Sequence, residues 1–477
     1  MGWNMLDSKD LQPTKPCLPN RREVLSAGLG GFASLSYPGL LRLRADGGNP
    51  GGTENTAVIL VWLRGGASHL ETWDPKPLAP VEYRGPYQTI ATRTPGMQFC
   101  ELLPRQAALS DKFAIIRSLA HTGPGHPSGS LQMLGGDKDP NDKLKPVYPD
   151  FMSVAHRLRF DPHRELPNYV GVNPVVRYDN FTIAGPGFLG ESYQPFAVLG
   201  DPSSPTFKVP NIGLGDTSRQ GMLDQRLGLQ KQFDSINRAV DRAGLLDTLD
   251  QFQGQALRLL TSKRASEAFD LTRESPKTRE RYGMNAWGQQ LLMARRLVEA
   301  GVEIVTSTLD GPLCGRVANW DDHAVNHHVF DALKYRAPYF DQAVSALVED
   351  VFQRGLDKRV LVVVTGEFGR TPKISHVASS GGGVASGAAG VVQPGRDHWQ
   401  HAGSMLFAGG GIRGGQVIGA TDKRGEFVTH RKVGPHDFLA TIYRHLGIDS
   451  SIVTVPDLTG RPTAIAPDGK PILELWS

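Results

Sequence analysis

Ala57-Val58-Ile59-Leu60-Val61-Trp62-Leu63 is an unbroken apolar run, followed at once by Arg64 and the pair Gly65-Gly66. A strand with one wet face alternates apolar and polar residues. A run without alternation predicts a strand buried on both faces, as in a parallel sheet sandwiched by helices, and the glycines mark where it turns out of the core. Runs of the same character recur at Phe113 to Ile116, Val302 to Thr308, Val360 to Thr365 and Ser404 to Ala408. Between them, Asn285 to Ala300 carries Leu291, Leu292, Ala294, Leu297 and Val298 at helical spacing and stops at Gly301. Strands alternating with helices predict an α/β fold, with a mostly parallel, doubly wound central sheet and helices on both faces.

The flanks of this core read differently. Residues 223 to 281 are polar and helix-rich, with Leu245, Leu249, Phe252, Ala256 and Leu260 on one face, and are expected to form a helical insertion packed on the sheet. Ser379 to Gly390 is almost entirely Gly, Ala, Ser and Val, the composition of a flexible loop. At the N-terminus, Asn20-Arg21-Arg22-Glu23-Val24-Leu25 precedes the uncharged, Gly-rich stretch Ser26 to Leu41, then Arg42, Arg44 and Ala45. That order describes a twin-arginine signal peptide over residues 1–45, a linker over 46–56 and one domain over 57–477. The implied destination is periplasmic or extracellular, and the implied transient partner is the Tat translocase. No run approaches the roughly 20 apolar residues of a membrane span, so the exported protein is expected not to span the membrane.

The chain's 52 basic and 48 acidic side chains leave a formal charge of only +4, with no basic stripe interleaved with aromatics. This argues against nucleic acid as a partner. Three cysteines, Cys17, Cys100 and Cys314, are too few and too scattered for a disulfide framework or a CxxC metal site. Cys100 and Cys314 could pair outside the cytoplasm if their Cα atoms lie within about 7 Å, and two buried free thiols are the favoured expectation.

Polar clusters stand where strands end, the edge at which open α/β sheets bind ligands. His69, Glu71 and Asp74 follow the first strand. His121, His126 and Ser128 share a Gly/Pro loop. Asp321, Asp322 and His323 precede His327 and His328. Glu367 and Arg370 follow Val360 to Val364, and Arg396, Asp397, His398 and His401 lead into the last strand. Eight of the 14 histidines fall in these loops, which is the feature that separates them from ordinary surface positions. Oxygen and imidazole donors with few cysteines suit a divalent ion such as Zn, Mn, Mg or Ca rather than iron–sulfur or copper chemistry. Arg370 and Arg396 have the planar fork that clamps a tetrahedral anion.

From the double arginine to the C-terminus the chain resembles the bacterial family catalogued as domain of unknown function 1501. The landmarks are GGASHLETWDPKP, AHTGPGHPSGSLQMLGG, NWDDHAVNH, VTGEFGRTP, GRDHWQHAGSMLFAGGGIRGGQVIGATD and HDFLATIYRHLGI. The resemblance implies the fold of the alkaline phosphatase and sulfatase superfamily, whose members use divalent metals and a nucleophile to cleave phosphate or sulfate esters. On that pattern His398 resembles the late metal-ligating His. His126 lies where sulfatases place their nucleophile, with Ser128 as the nearest hydroxyl. Two departures stand out: the acid expected after the first strand is replaced by Arg64-Gly65-Gly66, and the usual Asp-His after the late strand reads Glu367-Phe368.

The expected assignment is therefore a metal-dependent ester hydrolase, with a small-molecule or polysaccharide ester as substrate. Asp321, His323, Glu367 and His398 are the expected ligands, and His126, Ser128 and Arg370 the catalytic groups. His69, Glu71, Asp74, His121, Arg396 and Asp397 are expected to bind substrate. The competing expectation is a non-catalytic binding or cell-envelope protein that keeps the same fold.

The leader reading has its own test. Replacing both Arg21 and Arg22 by Lys should leave precursor in the cytoplasm, because the export receptor reads the guanidinium pair rather than charge alone. Undiminished export of the double variant, measured by cell fractionation, contradicts the reading.

Overall fold

The computed structural model describes residues 56–210, 212, 254–256, 258–311, 313, 319–383 and 385–477. The expected signal peptide, the expected linker up to residue 55, residues 223–253 of the expected insertion (Leu245, Leu249 and Phe252 among them) and Cys314 lie outside the described residues. The described chain is organised by an eight-stranded sheet. Its strands are β1 (Ala57–Trp62), β2 (Phe113–Leu119), β3 (Tyr169–Val172), β4 (Phe196–Val198), β5 (Ile304–Thr308), β6 (Val360–Thr365), β7 (Gly403–Gly409) and β8 (Gln416–Ile418). They lie in the order β8-β2-β7-β6-β1-β5-β3-β4. Every neighbouring pair is parallel except those made by β7, which runs antiparallel to both β6 and β2.

β1 shows why its sequence has no polar alternation. Ala57, Ile59, Val61 and Leu63 belong to one hydrophobic core, and Val58, Leu60 and Trp62 to the other. The first core is closed by α3 (Ala286–Glu299) and α4 (Val329–Gln353). The second is closed by α1 (His126–Gly135), α2 (Phe151–Leu158) and α5 (Pro435–His445). Each side chain of β1 thus points into one of two dry layers, and no position is left for a polar residue. The α3 boundaries follow from its caps: the Asn285 side chain accepts from the Gly288 N–H, and Gly301 takes φ +105° just beyond the end.

β3, β4 and β8 carry no long apolar run and are not legible as strands; they are short and lie at or near the sheet edges. Of the insertion, residues 254–256, 258–261, Lys263–Phe269 and Pro276–Tyr282 are helical. Ala265, Ala268, Phe269, Leu271 and Tyr282 enter the first core, so this part has no core of its own. One detail of the expected face is corrected: Gln255 and Leu259 are buried, whereas Ala256 is exposed and Leu260 half-buried. The loop after residue 378 is tied internally, with Ser379 Oγ 2.5 Å from Ser386 Oγ, and Gln393 Nε2 donates to Ala324 O at 2.7 Å. Cys100 is a buried free thiol. Among the described residues no helix is long and apolar enough to cross a membrane.

The insertion is fastened to α3 and α4 by a buried charge network. Arg295, with no exposed surface, binds Glu274 at 2.8 Å, Asp350 at 2.9 Å and Glu299 at 2.6 Å. Removing the cation takes from Glu274 and Asp350 their most deeply buried partner, leaving Arg296 on the one and Arg281 and Arg354 on the other. Because other guanidinium groups remain on both carboxylates, Arg295→Ala should cost less than the roughly 3–5 kcal/mol of an uncompensated buried charge, about 2 kcal/mol of unfolding free energy in urea titrations. A loss below about 1 kcal/mol would mean that the network is immaterial to the fold.

Candidate metal centre

Five stretches distant in sequence meet at the carboxyl edge of the parallel strands. Arg64 to Gly66 follow β1, and Glu367 and Arg370 follow β6. The loop between β5 and α4 brings Asp321 and His323. The turn after β2 leads to His126 at the start of α1. The antiparallel course of β7 supplies the fifth: because β7 starts at this edge, His398, just before it, reaches the same place.

Local anchors set the position of Asp321. On one side, Trp320 is buried, its backbone N–H donates to Arg64 O at 2.8 Å, and its ring packs against Trp287 and Phe340. On the other, Asp322 is buried and paired with Arg336 of α4. Gly65 allows the approach, since a Cβ there would lie 2.6 Å from the Asp321 nitrogen, and its φ of +103° is itself unfavourable for any other residue.

Side-chain donors from His126, Asp321, His323 and His398 lie within 4.8 Å of one another. Asp321 Oδ1 is 3.0 Å from His323 Nε2 and 3.3 Å from His398 Nε2, and Oδ2 is 3.2 Å from His126 Nε2. The two Nε2 atoms of His323 and His398 are 2.9 Å apart. Each imidazole is held from behind through Nδ1: His126 by Glu367 Oε1 at 2.6 Å, His323 by Asp397 Oδ1 at 2.6 Å, and His398 by the Pro124 carbonyl at 3.1 Å. In the neutral tautomer that donates each Nδ1–H to its oxygen, every Nε2 turns a lone pair inward. His126 Nε2 is buried and makes no hydrogen bond of acceptable geometry.

Converging lone pairs repel unless a cation lies among them, and an oxygen behind each imidazole is the arrangement that orients histidine ligands to a metal. The donor set of three imidazoles and a carboxylate suits Zn²⁺ or a similar divalent ion. The residues present therefore fit a metal.

Charge follows the same layout. Burial alone would raise the Asp321 carboxyl, but Arg370 and the three imidazoles hold it far below the usual carboxylate range. Burial pulls His323 down, yet hydrogen bonds to Asp321 and Asp397 push it up to about 9. His126 is likewise raised by Asp321 and Glu367 against the effect of burial. His398 is lowered by burial and by the Arg370 charge. Without a metal, the site stabilises cationic imidazole at two of its three histidines.

Several expected site residues hold other positions. Glu367 is absent from the four-donor group: it is fully buried, receives the Gly65 N–H at 2.9 Å and orients His126, which itself supplies a donor. Arg370, only 1% exposed, binds Asp321 at 2.6 Å, Gly66 O at 3.0 Å, Arg396 O at 3.2 Å and Gly65 O. It has no free face for a substrate anion and acts on the site by fixing Asp321. The Ser128 hydroxyl is engaged with the Gly125 N–H and carbonyl at the first turn of α1.

Arg396, Glu71, Asp74 and His69, expected to bind substrate, are all buried and bonded within the protein. Arg396 pairs with Glu71 at 2.6 Å, Asp74 with Lys76 at 2.9 Å and Thr421 at 2.5 Å, and His69 with Gly425 O at 2.9 Å. His121 is buried against Glu367 O, and burial lowers it to about 4. Asp397 faces solvent with half of its side chain exposed while holding His323.

Two contributors escaped sequence reading. Tyr178 stacks on His126, with ring centroids 3.8 Å apart, and its hydroxyl donates to Asp321 Oδ2 at 3.0 Å. Phe368 packs against both His126 and His398, at 5.2 and 4.7 Å. Tyr178 stands in no polar cluster, and nothing local sets it apart from any other tyrosine. Phe368 is visible only as the residue replacing an expected histidine.

Solved structures similar to this chain include three hydrolases. The phosphonate monoester hydrolase of Agrobacterium radiobacter is 12% identical over 88% of this chain and 77% of that one, with a TM-score of 0.34. Its counterpart from Silicibacter pomeroyi is 10% identical over 89% and 76%, with a TM-score of 0.36. The PsFucS1 sulfatase from Pseudoalteromonas sp. is 10% identical over 91% and 73%, with a TM-score of 0.34. No curated protein matches the sequence. The family described as protein of unknown function DUF1501 matches residues 55–476, essentially the whole described domain and the site within it, and the chain belongs to that family.

Proposed function

We propose that this chain is an exported, metal-dependent hydrolase of sulfate or phosphate esters. One observation carries the reading: three imidazoles, each fixed through Nδ1, turn their Nε2 atoms onto one buried-edge carboxylate. His126, Asp321, His323 and His398 would hold a divalent ion, which supplies Lewis acidity toward an ester oxygen and toward water. The rest of the site's work belongs to the chain's own residues. Arg370 and Tyr178 fix Asp321 as an anion. Glu367, Asp397 and the Pro124 carbonyl fix the three rings and their protons. Because the Ser128 hydroxyl is committed to Gly125, the attacking oxygen is assigned to water. The side chains of Asp321, His323 and His398 are 17–24% exposed, so the inner site opens to solvent and an ester can reach it. The twin-arginine leader supports an extracytoplasmic place of work.

A second reading has one observation in its favour. Three imidazoles and a carboxylate are enough to fill a tetrahedral shell, as in structural zinc sites, whereas catalytic sites keep a position open. On that reading the protein is a non-catalytic binding or cell-envelope protein with a metal-stabilised surface.

Chelation separates the two. The hydrolase reading expects turnover of 4-nitrophenyl sulfate or 4-nitrophenyl phosphate that is abolished by EDTA, restored by a divalent ion and lost in His398→Ala together with bound metal. Metal binding with no turnover of either ester, across the divalent ions, contradicts it and leaves the binding reading. The oxygens behind the rings give a further expectation: Glu367→Gln and Asp397→Asn should each weaken metal affinity by about 10–100-fold in competition titrations with a chromogenic chelator. Unchanged affinity in both would show that these carboxylates do not orient ligands.

A further inference from the structure

The hairpin that begins at Arg370 and returns to His398 has its base at the metal centre. Gly369–Arg370 pairs with His398–Trp399, and beyond it Ser375–Ala378 pairs antiparallel with Val392–Gly395. Asp397, which holds His323, lies on the returning limb. The Gly-rich stretch Ser379 to Gly390 closes the hairpin, and its composition alone describes a flexible loop. In the structure it rests on the turn that follows His323.

That turn, residues 323–327, lies outside any helix or strand. His323 O accepts the N–H groups of Asn326 at 2.9 Å and His327 at 2.8 Å, which closes the turn and leaves the carbonyls of Ala324 and Val325 to be matched from elsewhere. The hairpin takes both. Gln393 Nε2 donates to Ala324 O at 2.7 Å, and the Ser380 N–H donates to Val325 O at 2.9 Å. In return the His328 N–H donates to Ala385 O at 2.9 Å. Ala324 is only 2% exposed, so its carbonyl would have little water to turn to without Gln393. Two glycines permit the approach: a Cβ at Gly395 would collide with the Ala324 backbone, and one at Gly383 with the Asn326 carbonyl.

Gln393 joins loop to turn. Its side chain is buried; Nε2 reaches Ser386 Oγ at 3.2 Å as well as Ala324 O, and Oε1 accepts the Gly387 N–H at 2.8 Å. A neutral amide supplies donor and acceptor at once, which neither a carboxylate nor an apolar side chain can do. Ser379, also buried, ties the loop from within by accepting the Gly381 N–H at 2.9 Å and donating to Gly387 O at 3.0 Å.

We infer that Gln393 is a positioning residue for the metal centre: through Ala324 it fixes the turn of His323 before an ion arrives. A ligand on a loose turn has to be ordered as the ion binds, and the conformational entropy lost at that moment weakens affinity. The Gly-rich loop acts as a clasp that orders the turn beforehand. Because the same hairpin carries Asp397 and His398, closure of the clasp and binding of the ion strengthen each other, and the coupling is reciprocal. The inference rests on the metal centre and not on ester hydrolysis.

The test uses the full chain, with zinc and cobalt(II) as probes. Gln393→Met, close in volume but lacking both hydrogen-bonding groups, should weaken zinc about tenfold or more in competition with a chromogenic chelator. Gly383→Ala disturbs the same contact from the half-buried loop, so the answer does not hang on how well the first variant folds. A residue that only stabilised the fold would lower the thermal midpoint and leave the loaded centre as it was; loss of a positioning residue also alters the visible ligand-field bands of the cobalt-saturated chain. In the unaltered chain, zinc should slow hydrogen exchange of the Ser380 and His328 amides about tenfold or more, and Gln393→Met should lose that protection. Unchanged zinc affinity in both variants, cobalt bands identical to those of the unaltered chain, or no zinc-dependent protection of these amides would each overturn the proposal and leave the metal centre standing. If the unaltered chain binds neither ion, the metal centre itself fails and the positioning role with it.

Discussion

The ion pair between Arg370 and Asp321, 2.6 Å long with its guanidinium closed off from solvent, is the contact on which the site depends. Its guanidinium also takes the carbonyls of Gly65, Gly66 and Arg396, so a single side chain ties the ends of β1 and β6 to the loop ahead of β7. Burying a carboxylate among apolar residues would drive it to protonate; burying it against a bonded guanidinium keeps it charged. The anion at Asp321 then gives the imidazoles a charge to gather around. The positive group expected to meet a substrate anion is thus spent on holding the protein's own anion, and a cation bound at the centre would take over the task of meeting substrate.

The centre is a product of sheet topology as much as of residue chemistry. Parallel strands deliver their carboxyl ends to one edge, and four of the contributing stretches arrive in this way. His398 arrives by the opposite route, at the start of the one antiparallel strand. Had β7 run parallel, the residues before it would lie at the far edge of the sheet.

The fold was largely legible because burial on both faces of the sheet writes itself into sequence as apolar runs, as in β1 and β6. The short strands β3, β4 and β8, at or next to the sheet edges, were not, since strands this short are specified by pairing rather than by composition. At the site, clustering of histidines located the right loops, but which polar residues face the cavity is decided by partners hundreds of positions away. Glu71 and Arg396, 325 residues apart, neutralise each other inside the protein, and neither sequence neighbourhood hints at it. The same holds for Tyr178, which reaches Asp321 across 143 residues. Asp321, His323 and His398 were identifiable as polar residues at strand ends, whereas the division of labour between His126 and Glu367 depends on which of them stands behind the other.

The central claim is that three imidazoles and one carboxylate share a single divalent ion. X-ray absorption spectroscopy at the zinc edge on the zinc-loaded full chain tests it most directly. The account predicts a shell of nitrogen and oxygen at about 2.0–2.2 Å with outer-shell scattering from three imidazoles, reduced to two in His398→Ala. A sulfur ligand, a shell of water oxygens without imidazole scattering, or a spectrum indifferent to that substitution would contradict it.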